Sequence, residues 1–251
     1  MPLVRTIDIG GSSVKTMTFS VDLDVQPNDE LLILDQGADN HPHDFAEWFV
    51  KSITGKRNTN ADILSVCAPE RYLNEFSQEI ADGLGVPHCN DDIVDSVAHA
   101  FNFVDSNFPR PIIILTLGTA VGSALIEYNE PVDIDEYVGK FRLKKTEANP
   151  PEAWKALGHH GLNALEKKYS RSEAHKHYGQ RLGWFIVNFL VLKFNPATIV
   201  LSGGIADSCY SGFGPYLNEI IQQEPFHKPP HIELSSYGRE TGLWGLAKMT
   251  R

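Results

Sequence analysis

The chain has 251 residues, with 22 basic and 32 acidic side chains and a formal net charge of −10. Its 42% hydrophobic and 22% charged composition is that of a globular protein, not of a disordered or fibrous one. The acidic balance disfavours a nucleic-acid backbone as the main partner, since such binders present a basic face; it does not exclude nucleotides, which backbone N–H groups hold locally. Cys67, Cys89 and Cys209 form no CxxC pair, so neither a disulfide framework nor a cysteine-rich zinc site is supported. The opening MPLVRTIDIGG lacks the apolar stretch of a signal peptide, and the run near 184–192 is broken by Asn188 and too short for a bilayer. A cytoplasmic protein in a reducing compartment is expected.

In chain order, residues 3–9 read as a strand, 10–13 as a glycine turn, and 14–21 as a second strand. A third strand is expected at 31–35. A helix follows over 43–54, where Phe45, Trp48, Phe49 and Ile53 share a face. Residues 61–69 read as a buried strand and 71–84 as a helix. A helical stripe from Ile93 to Val104 starts just after the acidic pair Asp91-Asp92. The stretch 107–111 reads as a crossover into a second strand–glycine turn–strand unit at 111–128. Residues 129–160 carry mixed charge and three prolines and give no clear pattern. A long helix is expected over 172–194, then a strand and glycine turn over 197–207, a helix near 214–222, a strand near 231–234 and a last helix from about 240. Strand–turn–strand opens each half, which predicts two α/β lobes, 1–108 and 109–251, with a cleft between them and the last helix packing back on the first lobe.

Three glycine segments are candidates for nucleotide chemistry. In Asp8-Ile9-Gly10-Gly11-Ser12-Ser13-Val14-Lys15, the glycines let backbone N–H groups approach an anion, and Ser12 and Ser13 add hydroxyls. Asp8 is placed to hold Mg²⁺ through water. The segment fits neither GxGxxG nor GxxxxGK[ST], and a strand follows it. Gly118 and Thr119 in the second turn are placed to offer donors to a terminal phosphate. Ser202-Gly203-Gly204, at a strand end before a helix, suits a flat adenosine moiety. Ordinary turns are the competing reading of all three, and Lys15 reads equally as an exposed strand residue.

The ordered trio DIGGSSVK, LTLGTAVGSALI and IVLSGGIA resembles the phosphate-1, phosphate-2 and adenosine segments of the actin/hexokinase/Hsp70 superfamily, and within it the ROK sugar kinases, glucokinase-like members included. CNDDIVDSVAHA (89–100) resembles that family's N-D-A-[ND]-A-A segment, FNPATIVLSGGIA its LDPEVIVLGGGV, and YGRETGLWGLAKM its C-terminal helix. The likeness thins across 129–172. It implies a two-lobed actin-like (ribonuclease H-like) ATPase fold and ATP- and Mg²⁺-dependent phosphorylation of a hexose or amino sugar. It implies Asp91 as the base and Asn90 as a sugar ligand, because phosphorylating a hydroxyl needs a carboxylate to orient it and take its proton. An N-cap role for Asp91 or Asp92 is the other reading.

LGHH resembles part of the family's E-x-G-H sugar motif, which makes His159 a substrate contact, although Ala156 stands in the Glu position. Glu166 resembles a further sugar-contacting Glu. The family's zinc cysteines are missing, so no structural zinc is expected. His175 and His177 lie two apart on a helix, point to different faces and are expected to face solvent. Expected partners are the sugar and ATP, with no nucleic acid and no membrane; a homodimer stays open. Ala156 and the absent zinc module favour a rival, a nucleotide-binding protein without kinase activity. A kinase using polyphosphate or a non-sugar alcohol is a third possibility. A DNA-binding repressor of this family is not expected, since the sequence opens on its first strand rather than on a helix-turn-helix.

Overall fold

Val4–Ile9 are all buried, so this segment is a strand covered on both faces rather than an alternating surface strand. In the computed structural model, which describes residues 2–11, 13–22, 24–35, 45–54, 60–68, 77–88, 93–139, 141, 152–225 and 228–251, it is the centre of the first of two sheets. The chain divides into two units, Met1–Asn102 with Glu240–Arg251, and Phe103–Arg239. The last residues of the chain thus belong with the first.

Unit 1 contains β1 (Leu3–Ile9), β2 (Ser13–Val21), β3 (Val25–Pro27), β4 (Leu32–Asp35), α1 (Phe45–Thr54), β5 (Ile63–Ala68), α2 (Ser77–Leu84), β6 (Ile93–Val94), α3 (Asp95–Phe101) and α10 (Thr241–Met249). Its sheet runs β3-β2-β1-β5-β6, with β4 also paired to β2. The β1–β2 hairpin is antiparallel, whereas β5 and β6 are parallel to β1. Alternation along the strands sends Ile7 and Ile9 towards Phe45, Phe49, Ile53 and Ile80 of α1 and α2. Val4, Met17 and Phe19 join Leu243 and Ala247 of α10 in a separate cluster.

Unit 2 contains β7 (Ile112–Leu117), β8 (Val121–Ile126), β9 (Pro131–Asp133), α4 (Asp135–Gly139), α5 (Ala153–Ala156), α6 (His159–Glu166), α7 (Arg171–Phe185), α8 (Leu192–Phe194), β10 (Thr198–Ser202), α9 (Gly204–Gln223) and β11 (His231–Leu234). A π-helical turn, Ile186–Val191, joins α7 to α8. The sheet order is β11-β10-β7-β8-β9, with β7 parallel to β10 and antiparallel to β8. One apolar cluster joins Ile113, Leu115 and Leu117 to Tyr178, Leu182 and Phe185 of α7 and Phe213 and Leu217 of α9. Ser170 caps α7 in a capping box with Glu173.

Two readings change. The helix expected near 214–222 begins at Gly204 and carries Pro215 inside it. The stripe after Asp92 is split, because Ile93 and Val94 pair with β5 before α3 starts at Asp95. The short strands β3 and β9 have no strong sequence pattern, and the unread region holds α4, α5 and α6. Of the helix expected over 71–84, residues 71–76 lie outside the described residues. No helix among the described residues is long and apolar enough to cross a membrane.

The contact of α10 with α3 is made backbone to backbone. A Cβ on Gly245 would stand 1.7 Å from the Ala98 carbonyl oxygen. Gly245→Ala is therefore expected to lower unfolding free energy by at least about 2 kcal/mol in urea titration. Gly204→Ala, whose Cβ meets nothing within 4 Å, is the control and is expected to match or exceed wild type. Equal stability of the two variants would mean α10 shifts off α3 freely.

Candidate functional site

In unit 1 the first glycine turn joins β1 to β2, and Gly10 N–H donates to Ser13 O at 2.9 Å. Gly11 and Ser13 are half-buried; Ser12 lies outside the described residues. Antiparallel register sets Asp8 opposite Lys15, and parallel register sets Asp8 beside Cys67. The Lys15 ammonium lies 2.6 Å from Asp8 Oδ2, and both side chains are largely buried. Lys15 is thus not an exposed strand residue. Burial alone would raise the Asp8 carboxyl, but Lys15 and the nearby His99 outweigh it and hold Asp8 below its ordinary value. Burial likewise works against the Lys15 charge, and Asp8 overcomes it, helped by Cys67 and Asp95, so Lys15 is raised. Burial pushes the Cys67 thiol well up, with Asp8 and Asp95 adding to the effect.

His99 of α3 and Gly242 of α10 complete this cluster. A Cβ on Gly242 would meet His99 Nε2 at 2.9 Å and Asp8 Oδ2 at 3.1 Å. His99 is buried, and burial lowers its imidazole to about 4, with Asp8 opposing and Lys15 reinforcing that shift. Neither His99 nor Gly242 carries a sequence signal linking it to residue 8; only the sheet register and the α3–α10 contact bring them together.

Asn90, Asp91 and Asp92 lie outside the described residues. Ile93, which follows them, pairs with Cys67 and so sits in the same row as Asp8 and Lys15. The N-cap of α3 is Val94, with no side-chain cap bond. The N-cap reading of Asp91 and Asp92 is therefore wrong for this helix.

In unit 2 the second turn is closed by Gly118 N–H donating to Ala120 O at 3.0 Å, while Thr116 Oγ1 accepts from Gly122 N–H at 3.0 Å. Gly118 and Thr119 are half-buried. Two other backbone segments press on this turn. His159 N–H donates to Gly118 O at 2.8 Å, and a Cβ on Gly158 would stand 2.4 Å from Thr119 O and 2.8 Å from Ala120 Cα. On the strand below, a Cβ on Gly203 would stand 2.8 Å from Leu117 O, and Gly203 has φ 89°. Only glycine fits either place. Ser202 is buried at the end of β10, and Gly204 opens α9 with no atom near a built Cβ. Arg239 Nε reaches Asp207 Oδ2 at 3.2 Å, and a Cβ on Gly238 would lie 3.1 Å from Asp207 Oδ1. The segment after β11 thus rests on the first turns of α9, a contact that no local pattern announces.

The helix α6 holds both unit 2 substrate candidates, His159 at its start and Glu166 at its end, and both are exposed. Tyr178 of α7 donates its hydroxyl to Leu157 O at 2.5 Å, fixing the chain just before Gly158. His175 does not face solvent as expected. It is buried, because α7 packs so close to α9 that a Cβ on Gly212 would stand 2.0 Å from its Nδ1. His177 is half-buried, its ring 4.5 Å from that of Tyr169.

Among the described residues, no group of three or more His, Cys, Asp or Glu side chains could hold a metal ion. Asp8, with Oδ2 engaged by Lys15, suits contact with a cation through water better than direct ligation.

The buried imidazole makes stability depend on pH. The folded value near 4 lies below the ordinary imidazole value of 6.5, so between these pH values the unfolded chain holds the proton and the folded chain does not. The resulting stability is full above 6.5 and is lost as pH falls to 4, by about 3 kcal/mol. Asp8, whose carboxyl is depressed from its ordinary 3.8, also adds stability, and that part is lost only as pH falls below this value. Chemical denaturation of wild type and His99→Gln at pH 7 and pH 4 is expected to show wild type losing about 3 kcal/mol more. A pH-independent difference would mean that burial does not lower the His99 imidazole in the folded protein.

No protein-family model matches the chain, and no curated protein matches it. Solved structures do. A ROK family glucokinase from Streptomyces griseus in complex with glucose and AMPPNP is 12% identical, with 98% of each chain covered and a TM-score of 0.73. An inorganic polyphosphate/ATP-glucomannokinase from Arthrobacter is 18% identical, with 98% of this chain and 97% of that chain covered and a TM-score of 0.65. A ROK family transcriptional regulator, a homolog of the E. coli MLC protein, is 12% identical, with 98% of this chain and 77% of that chain covered and a TM-score of 0.69. The chain has the mixed α/β, two-sheet fold of the ROK family sugar kinases, an actin-like ATPase fold.

Proposed function

We propose that this protein transfers the γ-phosphoryl group of ATP to a hydroxyl of a hexose or amino sugar. The observation that carries the reading is the junction in unit 2, where Gly158-His159 and Gly203 are pressed against the turn at 117–120. In this reading the three segments, in close backbone contact, serve the sugar, the phosphates and the adenosine in turn.

In this reading each glycine turn is a phosphate-binding element: the first offers Gly11 N–H with the hydroxyls of Ser12 and Ser13 beside a Cβ-free approach at Gly10, and the second offers Thr119 beside the Cβ-free approach at Gly118. Ser202, Gly203 and Gly204 receive the adenosine. Lys15 holds Asp8 ionised, and Asp8 reaches Mg²⁺ through water. When bound with the nucleotide, Mg²⁺ neutralises charge on the phosphates. Asn90, His159 and Glu166 orient the sugar hydroxyls. Asp91 accepts the proton of the attacking hydroxyl, whose oxygen forms the new bond to phosphorus as the bond to the ADP oxygen breaks.

A second reading, a nucleotide-binding protein that signals without transfer, has one observation in its favour. Ala156, buried in α5, stands where the resembled sugar motif has Glu, so one sugar contact is missing. Polyphosphate as donor or a non-sugar alcohol as acceptor are variants of the first reading.

Asp91→Asn and Gly118→Val separate these. ADP release from ATP and Mg²⁺, across a panel of hexoses, amino sugars and polyols, is expected to fall by roughly 10²–10⁴ in Asp91→Asn with ATP affinity unchanged. A Cβ on Gly118 meets only Ala120 O, at 3.8 Å. Gly118→Val is therefore expected to fold and to lose ATP binding in calorimetry. Full activity in Asp91→Asn overturns the base assignment, and unchanged ATP affinity in folded Gly118→Val reduces the second turn to a turn.

A further inference from the structure

Glu166 is the last residue of α6. A carboxylate there meets the negative end of the helix dipole, so helix stability does not account for its position. Its side chain is about one-third exposed, and its Oε1 lies 3.6 Å from Nε2 of His175. That distance is too long for a hydrogen bond, but a shift of about half an ångström in the carboxylate closes it.

The imidazole has little freedom to do anything else. His175 is 7% exposed, and the backbone of α9 at Gly212 lies against Nδ1, where a Cβ would come within 2.0 Å. With that edge blocked, Nε2 is directed to α6. Nε2 is buried and hydrogen-bonds to no described residue, a state that proteins seldom tolerate without a purpose. Three residues on, along the same face of α7, Tyr178 donates to Leu157 O. The two side chains therefore engage α6 from one neighbour, Tyr178 just before its start and His175 at its end.

We propose that His175 is a positioning residue for the sugar-contacting carboxylate of Glu166, with Gly212 as the small residue that lets the imidazole stand there. This rests on the reading of Glu166 as a sugar contact. Without the ring, Glu166 is a helix-end carboxylate of many rotamers beside Lys167 and Lys168, and the sugar must order it at a cost in affinity. With the ring, the carboxylate is held in place before the sugar arrives. The groups that the structure places around the imidazole are Glu166 from α6, Arg171 one turn back on α7, and Ser211 and Tyr216 of α9, which line a shallow pocket with it.

Two measurements test this. The first needs no activity: NMR spectra of the His175 imidazole ring in wild type and in Glu166→Gln, both at neutral pH. The ring resonances are expected to move when the facing carboxylate is neutralised; identical ring spectra overturn the proposal. The second uses whichever of D-glucose and N-acetyl-D-mannosamine wild type phosphorylates. His175→Leu is expected to raise KM for that sugar at least tenfold, with kcat and KM for ATP little changed, and His175→Gln, which restores a donor, to recover most of the loss. Glu166→Gln is expected to raise KM similarly, and Glu166→Gln with His175→Leu to add nothing further. A raised KM in Glu166→Gln alone, with folded His175→Leu and His175→Gln both like wild type, overturns the positioning role and leaves the sugar contact intact. Should neither sugar be phosphorylated, the kinase reading is what suffers, and the ring spectra still decide whether His175 faces Glu166.

Discussion

The turn at Gly118 is clamped by close contact of backbone with backbone. On one side Gly158 leaves 2.4 Å between a hypothetical Cβ and Thr119 O, and on the strand below Gly203 leaves 2.8 Å to Leu117 O. No side chain separates these three segments, so none of them can move by a rotamer change. Positions set by backbone contact are the most rigid a protein can offer, and placement within about half an ångström is what phosphoryl transfer demands. The hydrogen bond from His159 N–H to Gly118 O extends the same junction into α6. The position of α6 is thereby referenced to the turn itself.

Unit 1 solves a different problem, that of keeping charge inside a sheet. Asp8 and Lys15 are cross-strand neighbours that would each be costly to bury alone, and at 2.6 Å each supplies the other's counter-charge. His99 remains neutral beside them because burial lowers its imidazole to about 4. Gly242 lets α10 come down onto both. The cost of the arrangement is sensitivity to acid, since the imidazole must stay uncharged for the cluster to hold.

Much of this was legible from local pattern. The two strand–glycine turn–strand units were visible because apolar runs of strand length end at paired small residues, as at Gly10-Gly11 and Gly118-Thr119. The face of α1 was visible because Phe45, Phe49 and Ile53 recur at helical spacing and are all buried. What escaped was set by partners distant in the chain. His175 looked like a surface residue on a polar helix, and only the approach of Gly212 from α9 buries it. Lys15 looked exposed because its partner is reached across a strand pair rather than along the chain. The start of α9 escaped because Gly203 reads as a turn residue, whereas it caps a helix that already runs from Gly204. His99, Asp207 and Arg239 had no pattern to read.

The kinase reading predicts a covalent product, and phosphorus NMR observes it directly. Purified wild type, ATP, Mg²⁺ and a panel of hexoses and amino sugars are expected to yield, for at least one sugar, a new phosphomonoester resonance that grows as the ATP γ-phosphate resonance decays, with ADP formed in equal amount. Tight ATP binding with no phosphomonoester from any sugar, or ATP decay to inorganic phosphate alone, would contradict transfer to a sugar hydroxyl.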